Sequence, residues 1–254
     1  MALPEEAIPL DEAALLIAAG ADPSLDVSAQ LARLDALASQ QRGAAGTEQV
    51  CHLVFTTLGL RGDSQTYDDP RNSYLHEVLD RRLGIPISLS VLLMEIGRRC
   101  GVALEGVGMP GHFLVRDPER PDQLIDAFSG GRRLDHAECA RLVQAVAGQA
   151  IELSGDMLAT VGSRSILARM LANLDYSFRR RRDSNGVRWV TGMRAVIPGL
   201  SMADRIALAD GLAGLGCYEE AAAQLEEMAR APGTSTEDAR TLRTRAQGVL
   251  AQFN

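Results

Sequence analysis

The stretch from Gly84 to Phe128 constrains the fold more than any other part of this chain. Gly84-Ile85-Pro86 breaks the preceding helical pattern, and Ser88 then sits where a helix N-cap belongs. From there Leu89, Leu92, Leu93 and Ile96 repeat on one helical face, while Glu95, Arg98 and Arg99 mark its polar side. Gly101 stops the helix. Three extended stretches follow, Val102 to Val107, His112 to Arg116 and Gln123 to Phe128. The turn-rich Gly108-Met109-Pro110-Gly111 and the segment Asp117 to Pro121 separate them.

The last two stretches read as a hairpin around Asp117 to Pro121. A symmetric loop centred on Glu119 pairs Arg116 with Asp122, Leu114 with Leu124 and His112 with Asp126. Directly opposed residues bring their Cβ atoms to about 4.5–5.5 Å, so His112 and Asp126 come within hydrogen-bonding reach. A slip of one residue destroys the match. A carboxylate beside an imidazole fixes the ring's tautomer, which is the orienter–base half of a nucleophilic triad. The same pair also serves as a purely structural contact near a sheet end.

The flanks are helical. Asp11 is placed to cap a segment carrying Leu15, Leu16 and Ile17; Leu31, Leu34 and Leu37 mark a second helix, and Cys51 to Leu58 a third. Gly59 to Pro70 reads as a loop, and Asn72 or Ser73 as the cap of a short helix bearing Leu75, Val78 and Leu79. After Gly130-Gly131 the chain returns to helix, through about Val146 and again from Met157. In the tail, Pro198 and Pro232 stand 34 residues apart, the period of a tetratricopeptide unit. Leu212, Gly216, Tyr218, Ala221 and Ala222 fit that repeat's packing positions, with a degenerate copy from Met170 to Pro198.

The runs Tyr67-Asp-Asp-Pro-Arg-Asn-Ser-Tyr-Leu, Val78-Leu-Asp-Arg-Arg-Leu-Gly-Ile-Pro-Ile-Ser-Leu and Pro110-Gly-His-Phe-Leu-Val-Arg resemble the SirB-type branch of the transglutaminase-like superfamily. Ile125-Asp126 with Phe128 and Gly130-Gly131, Arg169-Met-Leu-Ala-Asn-Leu, Leu215-Gly-Cys-Tyr and the N-terminal Leu10-Asp-Glu-Ala-Ala-Leu-Leu-Ile-Ala extend the likeness over nearly the whole chain. The resemblance implies an α+β, papain-related core: a helix whose start carries a nucleophile, packed on an antiparallel sheet bearing His and Asp. It divides the chain into an N-terminal helical segment (1–60), the core (61–155) and a tetratricopeptide-like tail (156–254). Active members of the superfamily use Cys–His–Asp for acyl transfer or amide hydrolysis. His112 and Asp126 match the histidine and aspartate, but no cysteine lies near the start of the Leu89 helix. Ser88 is the hydroxyl at that entrance, and it reads either as a serine standing in for the thiol or as a cap.

Two functions follow. One is a protein- or peptide-binding scaffold that has lost its nucleophile; the other is an acyl or amide hydrolase or transferase built on Ser88, His112 and Asp126. No cofactor is implied. A metal on His112 and Asp126 lacks a third ligand, and Cys51, Cys100, Cys139 and Cys217 show no zinc spacing. The net charge of −7 argues against nucleic acid as a partner, even with the basic run Arg179 to Arg182. Apolar runs such as Ala13 to Ala19 fall short of a membrane span, and no secretory signal is recognisable, so a cytoplasmic location is expected. The sequence is silent on oligomeric state.

Overall fold

The computed structural model describes residues 4–147, 153–195, 197, 201–231 and 233–252. It divides into two compact units, Met1–Asn173 and Leu174–Asn254.

In the first unit, helices α1 (Leu10–Ala21), α2 (Val27–Ala38), α3 (Thr47–Cys51) and α4 (Leu75–Arg81) surround the central helix α5 (Pro86–Arg99). A π-helical turn, His52–Thr57, extends α3. The chain then forms a five-stranded sheet in the order β6-β5-β4-β3-β7, antiparallel throughout. Its strands are β3 (Glu105–Val107), β4 (Leu114–Arg116), β5 (Leu124–Asp126), β6 (Arg132–Leu134) and β7 (Thr160–Val161). Two further strands, β1 (Arg61–Gly62) and β2 (Leu83–Gly84), form a separate parallel ladder. The fold is α+β, as expected.

Pleating sends alternate strand residues to opposite faces of the sheet. Phe113, Val115, Ile125 and Ala127 pack with α5, whereas Val107, Leu114, Leu124 and Leu134 pack with Cys139 and Val143 of α6 (His136–Ala147). Residues Pro86 to Ile96 of α5 are buried all round except the half-buried Met94, not along one stripe, because helices cover one side and the sheet the other. Burying its polar side requires partners. Glu95 accepts from Arg98 and Arg99, and both arginines reach back to Asp11 of α1. Asp11 is therefore a buried ion-pair partner in the first turn of α1, and Pro9 occupies the N-cap position.

Three local expectations need correction. Tyr74, not Asn72 or Ser73, is the N-cap residue of α4, because Asn72 belongs to a 3-10 turn, Pro70–Asn72, capped by Asp69. Met157 lies in a short 3-10 turn, Gly155–Leu158, after which the chain pairs as β7 with β3, and helix α7 (Ser163–Arg180) starts only later. The hairpin register is also two residues away from the symmetric one, with Val115 opposite Ile125 and Arg116 opposite Leu124. The loop is longer than five residues because Asp117 takes its own turn: its carbonyl accepts from Arg120 N–H and its carboxylate from Glu119 N–H and the Thr47 hydroxyl.

The second unit begins within α7 and holds α8 (Ser184–Ala195), α9 (Met202–Ala213), α10 (Tyr218–Arg230) and α11 (Thr236–Ala251). Helix α10 packs against both α9 and α11 through Leu212, Ala221, Ala222, Leu225, Leu242 and Ala246. The prolines at 198 and 232 lie outside the described residues.

The burial of α5 sets a stability expectation. Leu92→Ala, at a fully enclosed position, is expected to cost about 2–5 kcal/mol. Leu16→Ala, at a position 52% exposed, should stay within about 0.5 kcal/mol. Urea midpoints of the two variants against the parent chain check this.

Candidate functional site

The imidazole and the carboxylate predicted to pair do so. His112 Nε2 lies 2.9 Å from Asp126 Oδ1, with both side chains buried. The register shift keeps the pair because it is an even number of residues. A two-residue slip leaves every side chain on its face and moves His112 from directly opposite Asp126 to the diagonal position, still within reach of a long side chain.

Each partner is held from its own side. Asp126 ends β5, and its Oδ1 also accepts from the N–H groups of Phe128 and Ser129, while Oδ2 accepts from the Ser129 hydroxyl at 2.7 Å. Gly130 and Gly131, both at positive φ, let the chain fold back so that Gly131 N–H donates to the Asp126 carbonyl. Burial pushes the Asp126 carboxyl up, but the hydrogen bond and charge of His112, with Ser129, outweigh it and hold it below the ordinary carboxylate range. An ionised carboxylate only accepts, so Nε2 carries the hydrogen and Nδ1 is left as the open ring nitrogen. Nδ1 forms no hydrogen bond with any described residue and is not among the fully enclosed polar atoms, so it keeps some accessible surface although the ring is largely buried. Phe128 stands edge-on to the imidazole with centroids 6.2 Å apart, and Tyr67, 42% exposed, stands edge-on to Phe128.

Ser88 does not join them. Pro86 occupies the first position of α5 and Ile85 is its N-cap, so Ser88 is the third helical residue and not the cap itself. Its Oγ accepts from the N–H of Ile85, donates to the carbonyl of Asn72 at 2.6 Å and lies 3.1 Å from the carbonyl of Ile85. A hydroxyl has one hydrogen, and in Ser88 it is committed to main-chain oxygen. The residue has no exposed surface. One route of contacts from Ser88 to His112 runs through the β1–β2 ladder. A Cβ on Gly84 would meet Ser88 Oγ at 2.9 Å, Gly84 pairs with Gly62, and a Cβ on Gly62 would meet the Phe128 ring and carbonyl at 2.6 Å. Glycine at both positions lets the phenyl ring and the Ser88 hydroxyl approach the ladder this closely.

Asn72 is the hub of a polar cluster that sequence reading missed. Its Nδ2 donates to Asp63 and to the carbonyl of Thr66, and its Oδ1 accepts from Arg81. Asp63 further accepts from the N–H groups of Gln65 and Thr66 and from the Thr66 hydroxyl, with Arg81 at 3.7 Å. Burial raises the Asp63 carboxyl, yet these donors hold it at about 2. Arg81 is thus directed at Asp63 and Asn72. The spacing of Asp63 and Thr66, a side-chain-capped turn, was the available signal. Among the described residues, no three His, Cys, Asp or Glu side chains are grouped to hold a metal, and no helix is long and apolar enough to cross a membrane.

A buried helix start, an antiparallel sheet and a His–Asp pair at the end of its strands define a transglutaminase-like domain. The chain belongs to the transglutaminase-like superfamily, whose family model matches residues 23–172, more than half of its length. It is 38% identical over 182 residues to a UPF0162 protein of Xylella fastidiosa strain 9a5c, covering 67% of this chain and 65% of that one. A UPF0162 protein of Pseudomonas aeruginosa is 36% identical over 179 residues, 68% of this chain and 66% of its own length. The human F-box only protein 21 is 34% identical over 151 residues, which is 52% of this chain but 23% of that protein. The chain therefore spans about two thirds of its bacterial relatives and a quarter of the human one. No solved structure matches it.

Acid titration tests the buried cluster. With its folded value held near 2, against 3.8 for an ordinary aspartate, Asp63 binds protons more readily in the unfolded chain. Its contribution is complete above the ordinary value and is lost as pH falls through the folded one. Unfolding free energy should fall between pH 4 and pH 2, and Asp63→Asn should be less stable at neutral pH but flatter over that interval.

Proposed function

We propose that this chain is a non-catalytic, peptide-binding member of the SirB-type branch of the superfamily. The observation that carries the reading is the state of Ser88: without exposed surface, its proton donated to the Asn72 carbonyl and none of its bonds directed at His112. A nucleophile needs access to substrate and a base within hydrogen-bonding reach. Ser88 has neither, and serves to anchor the start of α5. What remains at the site suits binding: an imidazole nitrogen with no partner among the described residues, with Phe128 edge-on to the ring and Tyr67 edge-on to Phe128. An extended peptide offers N–H donors and apolar side chains to such a surface.

We assign residues 61–155 as the core that carries this cleft, 1–60 as the segment packed on it and 156–254 as a tetratricopeptide-like tail. Helix spacing supports the tail: α8 and α10 start 34 residues apart, at Ser184 and Tyr218, as do α9 and α11, at Met202 and Thr236. Ser201 and Ser235 cap α9 and α11 in the same way, each accepting from the N–H of the aspartate three residues on. Helical repeats of this kind offer a second protein-binding surface. The four cysteines are free, which suits a reducing cytoplasm.

One observation favours the alternative, an acyl or amide hydrolase or transferase using Ser88, His112 and Asp126. The His112–Asp126 pair keeps the geometry of a working orienter and base. Peptide binding separates the two. The full chain is screened against an immobilised peptide library, and a retained peptide is then measured by fluorescence anisotropy and followed by mass spectrometry. The expected result is binding without turnover, weakened about tenfold or more (roughly 1.4 kcal/mol) by His112→Ala. Turnover abolished by both Ser88→Ala and His112→Ala establishes the enzyme instead, and binding indifferent to His112 removes the cleft from the account.

A further inference from the structure

The His112 ring is presented by an irregular turn, not by a strand. His112 N–H donates to the Met109 carbonyl, closing a turn over Met109-Pro110-Gly111-His112 with Gly111 at positive φ, and β4 starts two residues later at Leu114. Pro110 and Gly111 are exposed, so packing holds the turn at its ends only, through the buried Met109 and Phe113. A polar group from elsewhere bridges it. Arg169, on the first half of α7, donates from one guanidinium nitrogen to the carbonyls of both Met109, at 2.8 Å, and His112, at 2.7 Å. Its guanidinium carbon lies 5.5 Å from the centre of the Phe113 ring. These two carbonyls bracket the turn, and no carboxylate shares the guanidinium among the described residues.

We infer that Arg169 is the positioning residue of the His112 site: by bridging the Met109 and His112 carbonyls it fixes the turn that aims the imidazole at Asp126. A charged donor on two backbone acceptors is stronger than the neutral bonds it replaces, and the planar guanidinium offers two hydrogens from one nitrogen while stacking on an aromatic ring. The burial that pushes the Arg169 guanidinium's affinity for its proton down also removes water as a competing partner for the two carbonyls. This builds on the reading of His112 as the working group of the cleft, yet its test observes the ring itself, so it stands or falls apart from any ligand.

The full chain is labelled with 15N, and the imidazole nitrogens of His112 are followed by long-range proton–nitrogen correlation in the parent, Arg169→Lys and Arg169→Gln. The parent should show His112 as the Nε2–H tautomer, with that proton exchanging slowly with water. Arg169→Gln should mix the tautomers and speed exchange at least tenfold while the amide fingerprint of the sheet is kept. Arg169→Lys, which retains the charge, should fall between them. A folded glutamine or lysine variant with the parent's tautomer and exchange rate overturns the inference. Should neither variant fold, the parent decides: couplings across the hydrogen bonds from the Arg169 side chain to the Met109 and His112 carbonyl carbons are expected, and their absence overturns it.

Discussion

The buried Ser88 hydroxyl finds an acceptor where its neighbour on the same helix, Ser90, has none among the described residues, and the start of α5 depends on which one it finds. Its single hydrogen goes to the carbonyl of Asn72, in the 3-10 turn ahead of α4. That bond ties the start of the enclosed helix α5 to a cluster of Asn72, Asp63 and Arg81. Unpaired buried polar groups cost about 1–3 kcal/mol each. Breaking any one of these bonds would leave a buried polar group unpaired, so the cluster holds the helix start in place. The helix entrance, where active members of the superfamily carry a thiol, has become a structural joint.

The consequence for chemistry is a separation of parts. The base and its orienter persist, with the imidazole held by Asp126 and the carboxylate held by the N–H groups that follow it. Ser88 packs against Gly84 and Phe128 against Gly62 across the β1–β2 ladder, a close approach that requires both ladder positions to lack a side chain. The imidazole with the Phe128 ring edge-on to it is the basis of the proposed recognition surface.

Much of this was legible in the residues, and the misses have physical causes. Strand period is two, so the predicted hairpin register was off by two residues and still placed His112 beside Asp126 on the correct face; an error of one would have lost the site. The loop length failed because Asp117 folds its own turn through Thr47, a contact 70 residues away in the chain that no local pattern encodes. The place of Ser88 was recoverable. Proline at the first helical position makes the preceding Ile85 the cap and Ser88 the third residue. The Asp63–Asn72–Arg81 cluster and the Arg169 bridge were not, since each joins segments whose proximity only the packed core creates. On the polar side of α5, the pairing of Arg98 and Arg99 with Glu95 follows from their spacing, but the closure of that network on Asp11 of α1 does not.

Replacing Ser88 with the thiol of the superfamily's active members asks the central question directly. In Ser88→Cys, alkylation by iodoacetamide at neutral pH is read at the peptide containing position 88, apart from the four native cysteines, in folded and in denatured chain. A structural joint predicts that the introduced sulfur is protected in the folded protein by orders of magnitude relative to the denatured one, with no dependence on His112. Rapid alkylation of the folded chain that slows when His112→Ala is added would show a nucleophile position open to the imidazole, and would contradict the assignment of Ser88 as a buried anchor.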